Sequence, residues 1–158
     1  MILSKSCIYG IQAAIHVAAE AKTGYVPISR IAEQLNISFH FLTKVLQQFT
    51  QSGLLASYRG PKGGVALGRD ASEISLYDLI GTIDGTKIFT ECMLGLPGCG
   101  HEEPCPAHDH WVEVRQQFAS IAKSVTLADL ADKANTLNVR LSASIGLPTT
   151  SLSTEKSV

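Results

Sequence analysis

The chain has 158 residues and a formal net charge of −1, and 45% of its residues are hydrophobic while 17% are charged. This composition is typical of globular proteins and excludes an intrinsically disordered chain. A chain of this length buries about 70% of its unfolded surface on folding, so it needs no disulfide bonds to form a core. The length predicts one domain with a small appendage.

The small net charge hides an uneven distribution along the chain. Residues 1–69 contain seven Lys or Arg and two Asp or Glu, a net charge of +5, whereas residues 70–158 contain six and twelve, a net charge of −6. A basic segment joined to an acidic one is a signal for nucleic-acid binding. The near-zero total therefore does not exclude a DNA ligand.

The compartment is indicated by the apolar runs and the cysteines. No run approaches the roughly 18 uninterrupted apolar residues of a membrane span, and the apolar stretch 8–19 is interrupted by Gln12 and His16. We expect no membrane association, and we interpret this stretch as a helix rather than a signal peptide. Three of the four cysteines lie within fourteen positions, which in a cytoplasmic chain favours a metal or cofactor over disulfides. The expected compartment is the cytoplasm.

Hydrophobic periodicity predicts a mainly helical chain with one small β-hairpin. Helices are expected, in chain order, over residues 4–21, 28–35, 39–50, 75–83, 108–125 and 127–134. Two strands, 54–58 and 64–67, flank the turn Arg59-Gly60-Pro61-Lys62-Gly63. The tail from residue 142 has eight Ser or Thr in seventeen residues, so we expect it to be disordered.

The second and third helices, with the hairpin, are arranged as a winged helix-turn-helix. In this motif the second helix of the pair enters the major groove, and the wing reaches the adjacent backbone or minor groove. The apolar stripe at positions 42, 45, 46 and 49 faces the core, which leaves the opposite face for DNA. Ser38 is also the expected N-cap of the third helix. The residues expected to contact DNA are Ser38, Phe39, His40, Thr43, Lys44, Gln47, Arg59 and Lys62. The alternative is ordinary helix packing, with the charged side chains only solvated.

Residues 1–111 resemble the IscR/NsrR/CymR family of bacterial winged-helix transcription regulators. The resemblance rests on Leu3-Ser4-Lys5 followed by Tyr9-Gly10, on the helix pair at 27–49, and on Ser57-Tyr58-Arg59-Gly60-Pro61-Lys62-Gly63-Gly64. The family usually has a third glycine where this chain has Lys62, which keeps the turn and adds a positive charge. The resemblance implies a homodimer on a two-fold symmetric double-stranded DNA operator, with half-sites one helical turn apart.

A second constellation is Cys92-x6-Cys99-x5-Cys105-x2-His108, in a loop rich in Gly and Pro. Thiolates bind iron–sulfur clusters, and such a loop supplies backbone N–H groups to the sulfurs. Zinc knuckles favour gaps of two to four residues within a Cys pair. The gaps of six and five fit zinc poorly, although a Cys3His zinc site stays chemically possible.

The resemblance adds detail to this site. The cluster-binding branch of the family has three cysteines with similar spacing before a long helix, and a His two residues after the third, which His108 matches. The first gap is one residue longer here, so 2Fe-2S is favoured and 4Fe-4S is possible. Cys7 is the alternative fourth ligand, contributed across a dimer, unless it is only a small buried residue of the first helix.

These features divide the chain into three parts. Residues 1–85 are a winged helix-turn-helix DNA-binding domain, 86–141 hold the cysteine loop and a long dimerisation helix, and 142–158 are the tail. The long helix carries an apolar stripe of Trp111, Val114, Phe118, Ile121 and Val125. That stripe belongs either to ordinary core or, as we favour, to a dimer contact.

The predicted function is a dimeric DNA-binding transcription regulator that senses iron–sulfur, redox or nitric-oxide status through a cluster held by Cys92, Cys99 and Cys105. The alternative is a zinc-holding or thiol-redox winged-helix regulator without a cluster. An enzyme is not expected, because the sequence has no Cys-x-x-Cys pair, no phosphate-binding glycine loop and no Ser/His/Asp arrangement.

Overall fold

The computed structural model describes residues 2–20, 24–100 and 102–136. Within these ranges the helices are, in chain order, α1 (Lys5–Ala19), α2 (Ile28–Leu35), α3 (Phe39–Gln51), α4 (Leu76–Ile83), α5 (His108–Ser124) and α6 (Leu127–Thr136). One antiparallel sheet consists of β1 (Leu55–Tyr58) and β2 (Gly64–Leu67). The predicted mainly helical class with one hairpin is confirmed, and each boundary lies within two residues of its expected position. Two short 3-10 turns, Ala71–Glu73 and Lys87–Phe89, were not predicted.

Helix α1 lies at the centre of the core, where it contacts α2, α3, α4 and α6. Its buried residues include Gly10, Ala13 and Ala14. A Cβ at Gly10 would stand 2.5 Å from Ile83 Cδ1 of α4 and 3.0 Å from Val45 Cγ1 of α3. These small residues let the neighbouring helices approach closely, because the distance between helix axes depends on the side chains at the contact.

The turn between α2 and α3 is short and tightly bonded. Asn36 takes the left-handed conformation at φ 53°, which asparagine tolerates better than most residues. The Ile37 N–H donates to the Ala32 carbonyl at 3.0 Å, which closes the end of α2. Ser38 occupies the predicted N-cap position of α3, but its side chain makes no capping hydrogen bond.

The wing is held to the rest of the head through Val26. Strand β1 pairs with β2 in a register from Leu55↔Leu67 to Tyr58↔Gly64. Val26 and Val65 exchange both backbone hydrogen bonds, at 2.8 and 2.9 Å. A Cβ at Gly64 would overlap the Val26 carbonyl, so glycine allows this third chain segment to lie against the hairpin. This short bridge was missed in the sequence.

Helix α5 leads away from the cysteine loop, and α6 returns to the core of the winged helix. The return is fixed by the Leu127 N–H, which donates to the Ile74 carbonyl at 2.7 Å, and by the Leu76 N–H, which donates to the Val125 carbonyl at 2.9 Å. Leu127 is fully buried in the core cluster that α1 and α3 also form. Residues of the second predicted part therefore complete the core of the first.

The division at residue 85 stays a prediction, and the predicted disordered tail, 142–158, lies outside the described residues. None of the helices in the ranges 2–20, 24–100 and 102–136 is long and apolar enough to cross a membrane.

The burial of Leu127 leads to a stability prediction. We expect Leu127→Ala to lower the free energy of unfolding by about 2–5 kcal/mol, because the change removes buried methyl groups and leaves a cavity between α6 and α1. Urea unfolding followed by circular dichroism measures this loss. The matched control is Leu94→Ala, an exposed leucine, for which a change within about 0.5 kcal/mol is expected. Equal effects of the two changes would contradict the packing of α6 in the core.

Candidate metal centre and nucleic-acid interface

The cysteine loop runs from the end of the Lys87–Phe89 turn to the start of α5, without regular secondary structure. Gly95 and Gly98 have φ values of 66° and 73°, a left-handed conformation that glycine adopts at little cost. These turns fold the loop back on itself, and the Gly95 N–H donates to the Cys92 carbonyl at 3.0 Å. The Sγ atoms of Cys92, Cys99 and Cys105 consequently lie within 4.8 Å of one another.

His108 joins the three thiols as the first residue of α5. Its Nδ1 lies 3.3 Å from Cys99 Sγ, and its ring is buried. The His108 N–H donates to the Cys105 carbonyl at 2.9 Å, so the two-residue gap forms a tight turn at the start of the helix. Cys92 Sγ and Cys105 Sγ are 3.6 Å apart. The four predicted donors therefore converge as two close pairs.

Backbone hydrogen bonds favour the charged form of one thiol. Hydrogen bonds with the backbone of Leu96 and, more weakly, of Leu94 lower the pKa of Cys92 to about 7. Burial acts in the opposite direction on Cys105 and raises the pKa of its thiol. The Cys105 N–H points to Cys99 Sγ at 3.4 Å. Backbone N–H groups directed at sulfur are typical of sites that hold thiolate-bound metal.

Cys7 lies elsewhere in the fold. Its side chain is fully buried on α1, in a second apolar cluster with Ile80, Phe89 and Ala122. Burial, followed by the negative charge of Asp84, raises the pKa of this thiol to about 12. Within the chain Cys7 does not belong to the group formed by the other three thiols.

These two environments predict different thiol reactivities. In the metal-free folded protein at pH 7.5, iodoacetamide is expected to modify Cys92 at least about tenfold faster than Cys7, because the thiolate is the nucleophile and only Cys92 has a lowered pKa. Peptide mass spectrometry after timed labelling measures both rates. In urea the two rates should approach each other. Fast labelling of Cys7 in the folded protein would contradict its burial.

The recognition helix α3 presents the predicted face to solvent. Leu42, Val45, Leu46 and Phe49 are buried on one side. The expected DNA contacts on the other side are exposed or half-buried: Ser38, Phe39, His40, Thr43, Lys44 and Gln47. The Thr43 hydroxyl donates to the Phe39 carbonyl at 2.7 Å, so its donor is used within the helix. Its methyl group and its acceptor capacity stay available to a base.

A cleft of about 690 Å³ separates α3 from the wing. Phe39, Thr43 and Gln47 line one wall and Arg59 the other, so the structure brings these four predicted residues together. Lys44 and Lys62 are exposed but are not among the lining residues, and neither are Ser38 and His40. The cleft combines polar side chains from a helix with a cation from the wing, which suits base edges beside a phosphate.

Sequence reasoning missed two aromatic residues at this interface. Tyr58 lines the cleft next to Arg59, and its ring centroid lies 5.5 Å from that of Tyr25. Both rings are largely exposed. The signal for Tyr58 was present, since an aromatic residue directly precedes the cation of the wing. Tyr25 could not be found in this way, because its proximity depends on the Val26 bridge.

Comparison with protein families gives a match over residues 3–133 to the family described as "Rrf2: Iron-dependent Transcriptional regulator". The HTH-type transcriptional regulator IscR of Klebsiella pneumoniae (strain 342) is 32% identical over 139 residues, which cover 88% of this chain and 85% of the relative. The protein of the same name from Yersinia enterocolitica serotype O:8 / biotype 1B is 33% identical over 139 residues, which cover 88% and 84%. Because these relatives are named as transcriptional regulators, the expectation that the chain is not an enzyme is confirmed.

Solved structures give the same result. CymR, described as the global cysteine regulator of B. subtilis, superposes with a TM-score of 0.69 at 28% identity and covers 82% of this chain and 95% of its own. T. potens IscR superposes with a TM-score of 0.70 at 25% identity and covers 87% and 91%. The resemblance inferred from the wing and the helix pair is thereby confirmed.

Proposed function

The chain belongs to the Rrf2 family of iron-dependent transcriptional regulators, and from this premise we propose that it is a dimeric DNA-binding regulator controlled by an iron–sulfur cluster. The observation that carries the proposal is the convergence of Cys92, Cys99, Cys105 and His108 at the start of a long helix. The relatives named IscR and the family description as iron-dependent support it.

The donor set fits a two-iron cluster. A 2Fe-2S cluster takes two protein ligands at each iron, and the donors here form two close pairs, Cys92 with Cys105 and Cys99 with His108. This arrangement favours 2Fe-2S over 4Fe-4S. When bound, the cluster supplies one-electron redox chemistry and iron that reacts with oxygen or nitric oxide. The protein contributes thiolates, one imidazole and backbone N–H groups directed at sulfur.

His108 is the proposed fourth ligand in preference to Cys7. His108 Nδ1 already lies 3.3 Å from one ligand sulfur. Cys7 is enclosed by Ile80, Phe89 and Ala122 of its own chain, and its raised pKa keeps it as a neutral thiol. A thiol binds metal as the thiolate, so Cys7 would have to leave its cluster and lose a proton to serve a partner subunit.

The proposed ligand of the head is double-stranded DNA in the cytoplasm, with α3 in the major groove and the wing at the backbone. Phe39, Thr43 and Gln47 face base edges, where Phe39 and the Thr43 methyl group suit a thymine methyl and Gln47 suits an adenine edge. Arg59 lies across the cleft at a position suited to phosphate. Lys44, Lys62, Ser38 and His40 extend this surface outside the cleft. The net charge of +5 over residues 1–69 supports the assignment.

Helix α5 is the proposed dimer contact. Val114 and Ile121 are 53% and 56% exposed, and they lie seven positions apart on the same face as the half-buried Phe118 and Trp111. An apolar stripe of this spacing is typical of a helix that packs against a partner helix. Because α5 begins at His108, a change at the cluster moves the element that sets the separation of the two heads.

The second candidate function is a zinc-holding or thiol-redox regulator. The observation that favours it is the 3.6 Å separation of Cys92 Sγ and Cys105 Sγ, since three thiols and one imidazole can also bind a single zinc ion. Zinc gives a colourless protein without inorganic sulfide, whereas an iron–sulfur cluster gives a coloured protein that contains it. Metal and sulfide analysis therefore separates the two functions.

The regulatory part of the proposal is tested by DNA binding. DNA selected from a random duplex pool by the anaerobically purified protein would be titrated with cluster-loaded and with cluster-free protein at several salt concentrations. We expect affinities that differ by about 5- to 150-fold, the range over which two coupled sites typically influence each other. Equal affinities at every salt concentration would contradict control by the cluster.

A further inference from the structure

The segment directly before Cys92 is held by two side chains of α5. Trp111 Nε1 donates to the Glu91 carbonyl at 2.8 Å. Arg115 Nη1 donates to the Thr90 carbonyl at 2.8 Å and to the Glu91 carbonyl at 3.2 Å. We call this pair of side chains the α5 clamp. It grips the two residues that precede the first cysteine of the site.

The clamp shares a helix face with the proposed imidazole ligand. His108, Trp111 and Arg115 occupy positions i, i+3 and i+7 of α5, and residues at this spacing lie above one another on one side of a helix. The position of Cys92 relative to His108 is therefore set through one rigid element. Without the clamp, that position would depend on the whole path of the intervening loop.

The loop itself offers little other restraint on Cys92. Met93, Leu94 and Leu96 are 64%, 54% and 49% exposed, so the residues that follow Cys92 do not anchor it in the core. On its other side, Thr90 and Glu91 end the Lys87–Phe89 turn, with their N–H groups bonded to the Lys87 carbonyl at 3.0 and 2.7 Å. Their own carbonyls point to the clamp. A guanidinium is well suited to carbonyls at the end of a turn, because these carry partial negative charge.

We propose that Trp111 and Arg115 are positioning residues for the cluster, which fix Cys92 against α5 and couple the cluster mechanically to the dimer helix. This inference rests on the proposed function that the site holds a cluster. The residues do not touch the metal; they act through the backbone of residues 90 and 91. Groups that orient metal ligands in this way typically change metal affinity by about 10- to 100-fold when they are removed.

The test compares Arg115→Met, Arg115→Lys and Trp111→Phe with the wild type. Methionine keeps an unbranched stem but removes the donors, lysine restores a cationic donor, and phenylalanine keeps an aromatic ring without the N–H. The matched control is Gln116→Met, which introduces the same residue at the exposed neighbouring position of α5. Far-ultraviolet circular dichroism and urea midpoints establish that each variant is folded.

The first readout is the cluster itself. Visible circular dichroism reports its environment, and anaerobic transfer of iron to a chelator gives its rate of loss. We expect about tenfold faster loss and an altered visible spectrum for Arg115→Met, a smaller change of the same kind for Trp111→Phe, and partial recovery for Arg115→Lys. Gln116→Met should match the wild type. A wild-type rate and spectrum in both Arg115→Met and Trp111→Phe would overturn the inference.

The second readout does not need a cluster. In metal-free protein, the rate of Cys92 alkylation relative to Cys105 is expected to change at least about threefold in Arg115→Met but not in Gln116→Met, since a released segment alters access to Cys92 alone. Unchanged relative rates would overturn the clamp. If the wild type bound no iron and sulfide, the proposed function would fail, while this readout would still decide whether the clamp positions Cys92.

Discussion

Cys99→Ser is expected to give a folded protein that retains less than about a tenth of the wild-type iron and sulfide. Cys99 lies at the middle of the site, with its Sγ 3.3 Å from His108 Nδ1 and 3.4 Å from the Cys105 N–H. Serine keeps nearly the same shape, but its hydroxyl is a hard, protonated group where iron–sulfur clusters require a soft thiolate. The loss therefore reports the ligand rather than the packing.

The matched control for this prediction is Cys7→Ala. Cys7 is buried apart from the other three thiols, so its replacement should leave the iron and sulfide content unchanged and lower only the stability. Both variants would be purified anaerobically beside the wild type, and iron, sulfide and visible absorption would be measured per chain. Wild-type iron and sulfide in Cys99→Ser, or their loss in Cys7→Ala, would contradict the assignment of the ligands.

The second large effect is expected at the wing. Arg59→Ala should weaken DNA binding about tenfold or more at 0.1 M salt, and it should reduce the slope of log K against log salt by about 2 for a dimer, since each phosphate contact contributes about 0.9. Because a phosphate contact carries no base information, the loss should be similar for the selected sequence and for random DNA.

Two further variants separate this effect from others. Lys133→Ala on α6 removes an equal charge from an exposed position far along the chain from the wing, and it should change neither the affinity nor the slope by a comparable amount. Gln47→Ala on the other wall of the cleft should cost about 1–3 kcal/mol on the selected sequence and much less on random DNA. Fluorescence anisotropy titrations at four salt concentrations measure all three. An unchanged salt slope in Arg59→Ala would contradict the position of the wing at the phosphate backbone.

Local patterns in the sequence were sufficient for the elements and for much of the site. The stripe at Leu42, Val45, Leu46 and Phe49 has the period of a helix, and these residues are buried as that period requires. Cys105 and His108 could be paired because a two-residue gap at a helix start brings them to the same side. Such features depend on neighbours along the chain, so the sequence contains the information directly.

Other features depend on contacts between distant segments. Nothing near Leu127 indicates that α6 returns to pack on α1, because the contact is specified only when both helices are placed. The same holds for the clamp, where Trp111 and Arg115 bind carbonyls about twenty or more positions away. Helical periodicity assigned Trp111 to the apolar stripe of α5 and could not reveal that its indole N–H has a partner. Backbone acceptors leave no trace in the identity of the residue that carries them.

The central claim is that the site formed by Cys92, Cys99, Cys105 and His108 holds an iron–sulfur cluster. Its most direct test is the iron, zinc and acid-labile sulfide content of the wild-type protein purified without oxygen, together with its visible spectrum. The account predicts a coloured protein with about two iron and two sulfide per chain for the favoured 2Fe-2S cluster. A colourless protein with about one zinc per chain and no sulfide would contradict it.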